Sequence, residues 1–280
     1  VKILVVGLGQ LGRDLVRVLG GPHVVSGLDV PDIDITNAAS IDAAMNTHEP
    51  ELVINAAAYT DVEGAEDDEA GAFAANATGA GLLAEATAAR GLPIVLYSTD
   101  FVFDGKKGIA YVPEDATAPL SVYGASKLAG ELATVKANPK HFILRTAWLY
   151  GPGGNNFVEK IIGWSHNNDR LRVVTDEVGS PTHTWDVAEV TARLIATEAY
   201  GVYHVVNRGV CSRFELAKAI VETMGLDVAV EECLSSEFPT KAARPEYSVL
   251  DCSRLADVCG QEMPEWRETL ERYLARRRDV

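Results

Sequence analysis

Lys2-Ile3-Leu4-Val5-Val6-Gly7-Leu8-Gly9-Gln10-Leu11-Gly12 is the stretch on which the reading of this 280-residue chain turns. A continuous apolar run ends on glycines spaced GxGxxG, and Leu11, Leu15, Val18 and Leu19 then recur at helical intervals. Strand, glycine turn and helix, in that order, is the arrangement a pyrophosphate needs. Gly7 makes the tight turn, Gly9 lets the backbone approach the anion, and Gly12 lets the helix pack closely on the strand. The anion then rests on free N–H groups at the helix N-terminus. Asp29 closes a second apolar run about 20 residues on, where an acid accepts hydrogen bonds from the adenosine ribose hydroxyls. No arginine follows in Asp29-Val30-Pro31 to meet a ribose 2′-phosphate, which favours NADH over NADPH. Asp34-Ile35 falls where residues either sit beside the adenine ring or cap the next element.

Outward from this loop, short apolar runs alternate with helical periodicity. Strands are predicted at residues 23–28, 51–54, 93–97 and 141–145, and helices at 41–45, 65–90 and 123–136. Asn55-Ala56-Ala57-Ala58-Tyr59 ends the third strand with small residues that leave room for a cofactor, or equally for close helix packing. The alternation predicts an α/β fold, a Rossmann-type doubly wound parallel sheet. Burial on both faces explains why its strands are uninterrupted apolar runs. Beyond the breaker cluster Gly151-Pro152-Gly153-Gly154-Asn155-Asn156 the pattern loosens. Helices at 184–199 and Arg213–Met224 flank a short strand at 202–206. We therefore expect a dinucleotide-binding domain at 1–150, rejoined by about 184–208, and a smaller C-terminal α/β substrate-binding part at 151–280.

Composition sets the outer bounds. Hydrophobic residues at 47% and charged residues at 23% are ordinary globular values and exclude wholesale disorder. No apolar stretch approaches the ~20 residues of a membrane helix, and no basic, apolar-cored leader is visible, so a cytoplasmic protein is expected. A formal charge of −15 argues against nucleic acid or an anionic membrane as partner, because the long-range field repels both. Cys211, Cys233, Cys252 and Cys259 form no CxxC pair and read as free thiols. Arg276-Arg277-Arg278 reads as the solvated last turn of a helix.

Two further segments carry chemistry. Tyr123-Gly124-Ala125-Ser126-Lys127 puts a tyrosine and a lysine four residues apart on one helix face. A tyrosine of pKa ~10 is a weak acid near neutrality. An ammonium on the same face, helped by an oxidised nicotinamide, is expected to lower it by favouring the phenolate. Ser98-Thr99-Asp100 closes the fourth strand, and in a doubly wound sheet ligands bind at the carboxyl ends of strands. Thr99 there can hydrogen-bond the same carbonyl oxygen that Tyr123 protonates.

These segments, with YSTDFVFDG (97–105), YGASKLAGE (123–131), LRTAWLYG (144–151) and GNNF (154–157), resemble the extended short-chain dehydrogenase/reductases. Within them the chain is similar to the dTDP-4-dehydrorhamnose reductase branch, and NAAAYTDV (55–62), GSPT (179–182) and AARPEYSVLD (242–251) extend the match over nearly the whole length. The resemblance implies reduction of the 4-keto group of a dTDP-4-dehydro-6-deoxy-L-hexose by NADH or NADPH, in deoxysugar and cell-surface polysaccharide synthesis. It makes Tyr123 the proton donor, and has Lys127 hold the nicotinamide ribose while lowering the tyrosine pKa. Thr99 takes the place of the superfamily's serine, Thr99 and Asp100 contact the sugar, and Trp148 packs its indole against the substrate. Gly9, Gln10, Leu11, Asp29, Asp34, Ile35, Ala57, Ala58, Tyr59 and Tyr97 fall on cofactor contacts. Asn156 joins the substrate side. Arg244 either grips the nucleotide diphosphate or forms a surface salt bridge.

Three departures from the family pattern stand out. The loop is GxGxxG, one residue shorter than the usual GxxGxxG. Phe101 replaces a frequent tyrosine beside the sugar. Some relatives bind magnesium through carboxylates at a dimer contact, and Asp14 falls on one such position without a complete ligand set, so metal dependence and the choice of monomer or homodimer stay open. Two other activities share the resemblance. A nucleotide-sugar dehydratase would follow the threonine with an Asp-Glu pair, where this chain has Asp100-Phe101, and an epimerase would keep its nucleotide through turnover. The regulatory subunit of methionine adenosyltransferase, which is not a catalyst, is also similar.

Overall fold

A computed structural model describes residues 1–278. Six parallel strands form the central sheet: β1 (Lys2–Val6), β2 (Val24–Leu28), β3 (Leu52–Asn55), β4 (Ile94–Thr99), β5 (His141–Thr146) and β6 (Gly201–His204), in the order 2-1-3-4-5-6. The order reverses between β1 and β3, and the crevice at the carboxyl ends of those two strands is where an open α/β sheet takes its ligand. Side chains alternate faces along each strand, which splits the core in two. Ile3, Val5, Ile54, Val95, Phe142 and Leu144 pack under α1 (Gln10–Leu19) and, much later in the chain, α6 (Thr184–Leu194). Leu4, Val6, Val53 and Ile94 pack on the opposite face, under α2 (Ala38–His48) and α3 (Ala80–Ala88). Next to α3, α4 (Val122–Ala137) lies over β4 and β5.

A further core gathers the last third of the chain. Tyr150, Ile161, Leu171, Leu216, Ile220, Leu270 and Leu274 bring together α5 (Phe157–Ser165), α7 (Arg213–Met224) and α9 (Trp266–Arg278). A two-stranded parallel pair, Arg170–Val174 with Ala229–Cys233, joins them. These strands, α5 and α8 (Ser253–Cys259) carry too little periodicity to have been expected, and of α9 only the basic last turn was.

Two expected elements differ. The helix at 65–90 is broken into Val62–Ala65, Glu69–Phe73, a π-helical stretch Ala74–Gly79, and α3. Asp61 and Asp68 cause the restarts, because their carboxylates accept from Gly64 and Gly71 N–H at 3.0 and 2.9 Å and cap new helical turns. The helix at 184–199 stops at Leu194. At the basic end, Arg277 is bound rather than merely solvated: it donates to both Glu159 carboxylate oxygens, at 3.0 and 2.9 Å. All four cysteines are free, Cys211 and Cys233 buried. Among the described residues no helix is long and apolar enough to cross a membrane.

Candidate active site

The glycine loop has the shape its spacing predicts. Gly7 takes φ +91°, and a Cβ there would sit 2.4 Å from the Ala57 N, so β1 and β3 close on each other only with glycine at this point. A Cβ at Gly12 would lie 1.8 Å from the Gly7 carbonyl oxygen, whereas one at Gly9 would meet nothing within 4 Å. The start of α1 is therefore open above Gly9. Its first turn holds no acid and Gly9 offers no side-chain cap, which leaves N–H groups for an anion. Asp29 is exposed at the end of β2, fixed by Leu8 N–H on Oδ2 and Val30 N–H on Oδ1, both at 2.9 Å. The donors and the open cradle fit a dinucleotide.

The remaining cofactor-side residues divide. Ala57 and Ala58 are half-buried beside Gly7. Tyr59 is held by Asn76, which accepts from its N–H at 2.9 Å and donates to its carbonyl at 3.1 Å. Gln10 reaches towards the Leu149 carbonyl at 3.5 Å and accepts from Asn156 at 3.2 Å. Leu11 belongs to the core under β1. Asp34 is engaged in its own turn, accepting from Thr36 N–H and hydroxyl at 2.9 and 2.7 Å, and Ile35 is 8% exposed in the core beside Ile33. The Tyr97 side chain is buried against Thr191, 2.7 Å between hydroxyls, so only its backbone faces the site.

The residues expected to react converge at the end of β4. The Thr99 hydroxyl donates to Asp100 Oδ1 at 3.0 Å and accepts from Phe101 N–H at 3.2 Å. Asp100 is 2% exposed and its Oδ2 has no hydrogen-bond partner. Burial pushes this carboxyl up to about 6, against the opposing pull of Ser248, Thr99 and the Arg213 charge. Tyr123 stands beside the pair, its ring meeting Phe101 edge-on at 5.6 Å. Lys127, one turn on, donates to the Tyr97 carbonyl at 2.7 Å, and burial lowers its pKa to about 8 while Glu131 opposes the shift.

The lowered tyrosine pKa expected from the sequence is not what these residues produce. Burial pushes Tyr123 up to about 12, the Asp100 carboxylate adds to the rise, and only the Thr99 hydroxyl pulls the other way. Burial is the main reason; beside it, the ammonium that was to favour the phenolate is fixed on the Tyr97 carbonyl, and the charge that acts on the phenol is the Asp100 carboxylate.

On the far side of the crevice, Trp148 adopts φ +49°, a left-handed backbone that is strained for an indole residue. A Cβ on Gly179 would reach within 2.7 Å of that ring, so the glycine of GSPT is what lets the indole settle. Asn156 caps α5, accepting from Glu159 N–H at 3.1 Å while its amide donates to Gln10, Gly151 and Gly154. It braces the loop and has no group to spare. Arg244 donates to Glu63 Oε1 at 2.8 Å.

With this geometry in view, comparison with known proteins is decisive. The family model described as the RmlD substrate binding domain matches residues 1–278. A dTDP-4-dehydrorhamnose reductase from Sinorhizobium fredii is 38% identical over 255 residues, 87% of this chain and 86% of the relative. The chain belongs to the dTDP-4-dehydrorhamnose reductase family. A crystal structure of such a reductase from Clostridium acetobutylicum superposes with a TM-score of 0.96 at 40% identity, covering 99% of this chain and 100% of the other. One from Bacillus anthracis, solved in complex with NADP, gives 0.95 at 38% identity, covering 98% and 99%.

Within this family frame, two site residues had escaped the sequence reading. Asn76 is 2% exposed in the π-helical stretch and ties Tyr59 to the Ser126 hydroxyl of α4, 3.0 Å away, linking the cofactor side to the YxxxK helix. Nothing in an alanine-rich helix marks one asparagine out. Arg213 lies with its guanidinium carbon 3.6 Å above the Trp148 ring. Asp14, considered for magnesium, is 1% exposed and accepts from the Thr184 hydroxyl at 2.5 Å, with Arg17 3.6 Å away. Among the described residues, no group of three or more His, Cys, Asp or Glu side chains is placed to hold a metal.

Proposed function

We propose that the protein reduces the C4 ketone of dTDP-4-dehydro-6-deoxy-L-mannose to the alcohol, giving dTDP-L-rhamnose, with NADH preferred over NADPH as the reductant. The observation that carries the reading is the meeting of Tyr123, Thr99, Asp100 and Lys127 at the end of β4, one strand away from the β1–β3 crevice with its open helix N-terminus. We assign the nicotinamide nucleotide to residues 1–150 with about 184–208, and the sugar nucleotide mainly to the remainder, with Thr99, Asp100 and Trp148 reaching the sugar from the first part.

A bound nicotinamide supplies the hydride. Tyr123 holds the proton for the carbonyl oxygen. A phenol at about 12 keeps that proton until needed, and the alkoxide that develops as the hydride arrives is the stronger base and takes it. Thr99 orients the same oxygen, and Lys127 remains largely cationic at neutral pH beside the ribose position. The Asp29 carboxylate receives the adenosine ribose hydroxyls. Trp148 offers a flat surface to the sugar, Arg244 holds the diphosphate, and Asn156 braces the loop after Trp148 through Gln10 and the Gly151 and Gly154 carbonyls. Substrate positioning and one proton donor suffice for the chemistry.

The test is oxidation of NADH, and separately NADPH, with the 4-keto sugar nucleotide generated in place and the sugar product identified. Cofactor oxidised in equal amount to dTDP-L-rhamnose formed is the expected result. Tyr123→Phe should lose about 10²–10⁴-fold in turnover while still binding nucleotide, since it removes a proton donor and no wall of the site. Near-normal turnover would remove Tyr123 from the mechanism, and substrate binding without oxidation would make the protein a binding or regulatory subunit.

A further inference from the structure

Arg213 is a cation where the helix it begins does not want one. It is the first residue of α7, and a positive charge in the first turn opposes the helix dipole. Its side chain is nonetheless fixed on several sides. The guanidinium stacks on Trp148 at 3.6 Å and lies 5.0 Å from the Phe157 ring. Its Nε donates to Glu177 Oε2 at 3.4 Å, and its backbone N–H donates to the Glu177 carbonyl at 3.1 Å. Only 14% of the side chain is exposed. That Nε bond is the side chain's one hydrogen bond among the described residues, and the two Nη atoms stay open to solvent. A guanidinium held by two rings and at Nε, with its terminal N–H groups uncommitted and reachable from solvent, is placed to take an acceptor that comes from outside the protein.

Its neighbours point to the kind of acceptor. Arg213 lies within electrostatic reach of Glu177, of a second cation, Arg244, and of Asp100 at the end of β4. Arg244 spends Nη2 on Glu63 and keeps a buried Nε with no partner. Two guanidiniums within electrostatic reach of each other are both relieved by an added anion, and their planar forks match phosphate oxygens in pairs.

We propose that Arg213 is a second diphosphate-binding residue, closing on the sugar nucleotide from the Trp148 side while Arg244 holds it from the Glu63 side. The inference rests on the substrate reading given above. It adds a coupling: the guanidinium that binds phosphate is the one that backs the Trp148 indole, so an occupied diphosphate subsite also fixes the surface on which the sugar rests.

The test compares dTDP and thymidine as competitive inhibitors against the sugar nucleotide, for the wild type, Arg213→Gln and Arg213→Lys. In the Gln variant the dTDP inhibition constant should rise about tenfold or more, while thymidine, which carries no phosphate, changes by less than about twofold. Lysine keeps the charge without the fork and should fall between. Equal weakening of both ligands would mean that only support for Trp148 was lost, and would overturn the proposal; an unchanged dTDP constant would overturn it too. If the Gln variant does not fold, the Lys variant carries the same comparison. A wild-type protein that binds no dTDP would sink the substrate reading and this inference together. A wild type that binds dTDP, with no split between the ligands in the variants, sinks this inference alone.

Discussion

Ser98 and Thr99 are neighbours at the end of one strand, and the two polar networks they begin are opposites. Ser98 donates to Glu131 Oε1 at 2.5 Å, and Arg145 closes on the same carboxylate with Nε and Nη2 at 2.9 and 2.7 Å. The remaining Arg145 nitrogen reaches the Pro113 carbonyl at 3.1 Å, and all three residues are at most 5% exposed. Thr99 instead points to Asp100, whose second oxygen is equally buried and has no partner. Both networks put charge inside the protein. One balances it with its counter-charge, which makes it part of the frame; the other leaves a buried carboxylate oxygen without a partner. Burial of a charge does not distinguish the two, but the count of unmet hydrogen bonds does.

The sharpest way to break this comparison is Glu131→Gln. It leaves Arg145 buried without its counter-charge and should destabilise the fold by about 3–5 kcal/mol in urea unfolding. A loss below about 1 kcal/mol would mean that the pair is no better balanced than the Asp100 side.

Asp100→Asn should act in the opposite sense. Its folded pKa of about 6 lies above the ordinary 3.8, so its contribution to stability is whole below pH 3.8 and is lost as pH rises through 6. At pH 7.5 the wild type bears a buried carboxylate that the variant lacks. The variant should be more stable there by about 1–3 kcal/mol, the gain fading towards pH 4, and should be a poorer enzyme. A stability difference that does not change with pH would refute the assignment. The smallest effect is expected from Ser98→Ala, about 1 kcal/mol, because Arg145 still grips Glu131 with two bonds. A larger loss would show the serine to be integral to the pair.

Much of this was legible before any coordinates. GxGxxG between an apolar run and a leucine-spaced helix dictates the loop, because few other sequences allow backbone contact as close as that between Gly7 and Ala57. Tyr123 and Lys127 at i, i+4 must share a face. What stayed hidden depends on partners remote in sequence. The lysine's commitment to the Tyr97 carbonyl, the direction of the Tyr123 shift, the Asn76 brace and the stacking of Arg213 on Trp148 arise only when separate elements meet. Asp34 and Ile35 show the reverse problem. They lie at a position a cofactor can use, but the structure has local work for each, a turn and a core contact.

The late arrival of α6 and β6 bears on how the protein is made. Leu15 and Leu19 of α1 are buried with Val187 and Leu194 of α6, and β5 is completed at its outer edge by β6. A nascent chain that has emerged as far as Tyr150 therefore holds five strands of its sheet with one apolar face still partly uncovered and one edge still unpaired. Such surfaces are where partly synthesised chains aggregate. The six-stranded sheet can close only once the residues beyond the segment 151–183 have been synthesised, so parts of the chain that are far apart in sequence are joined in folding.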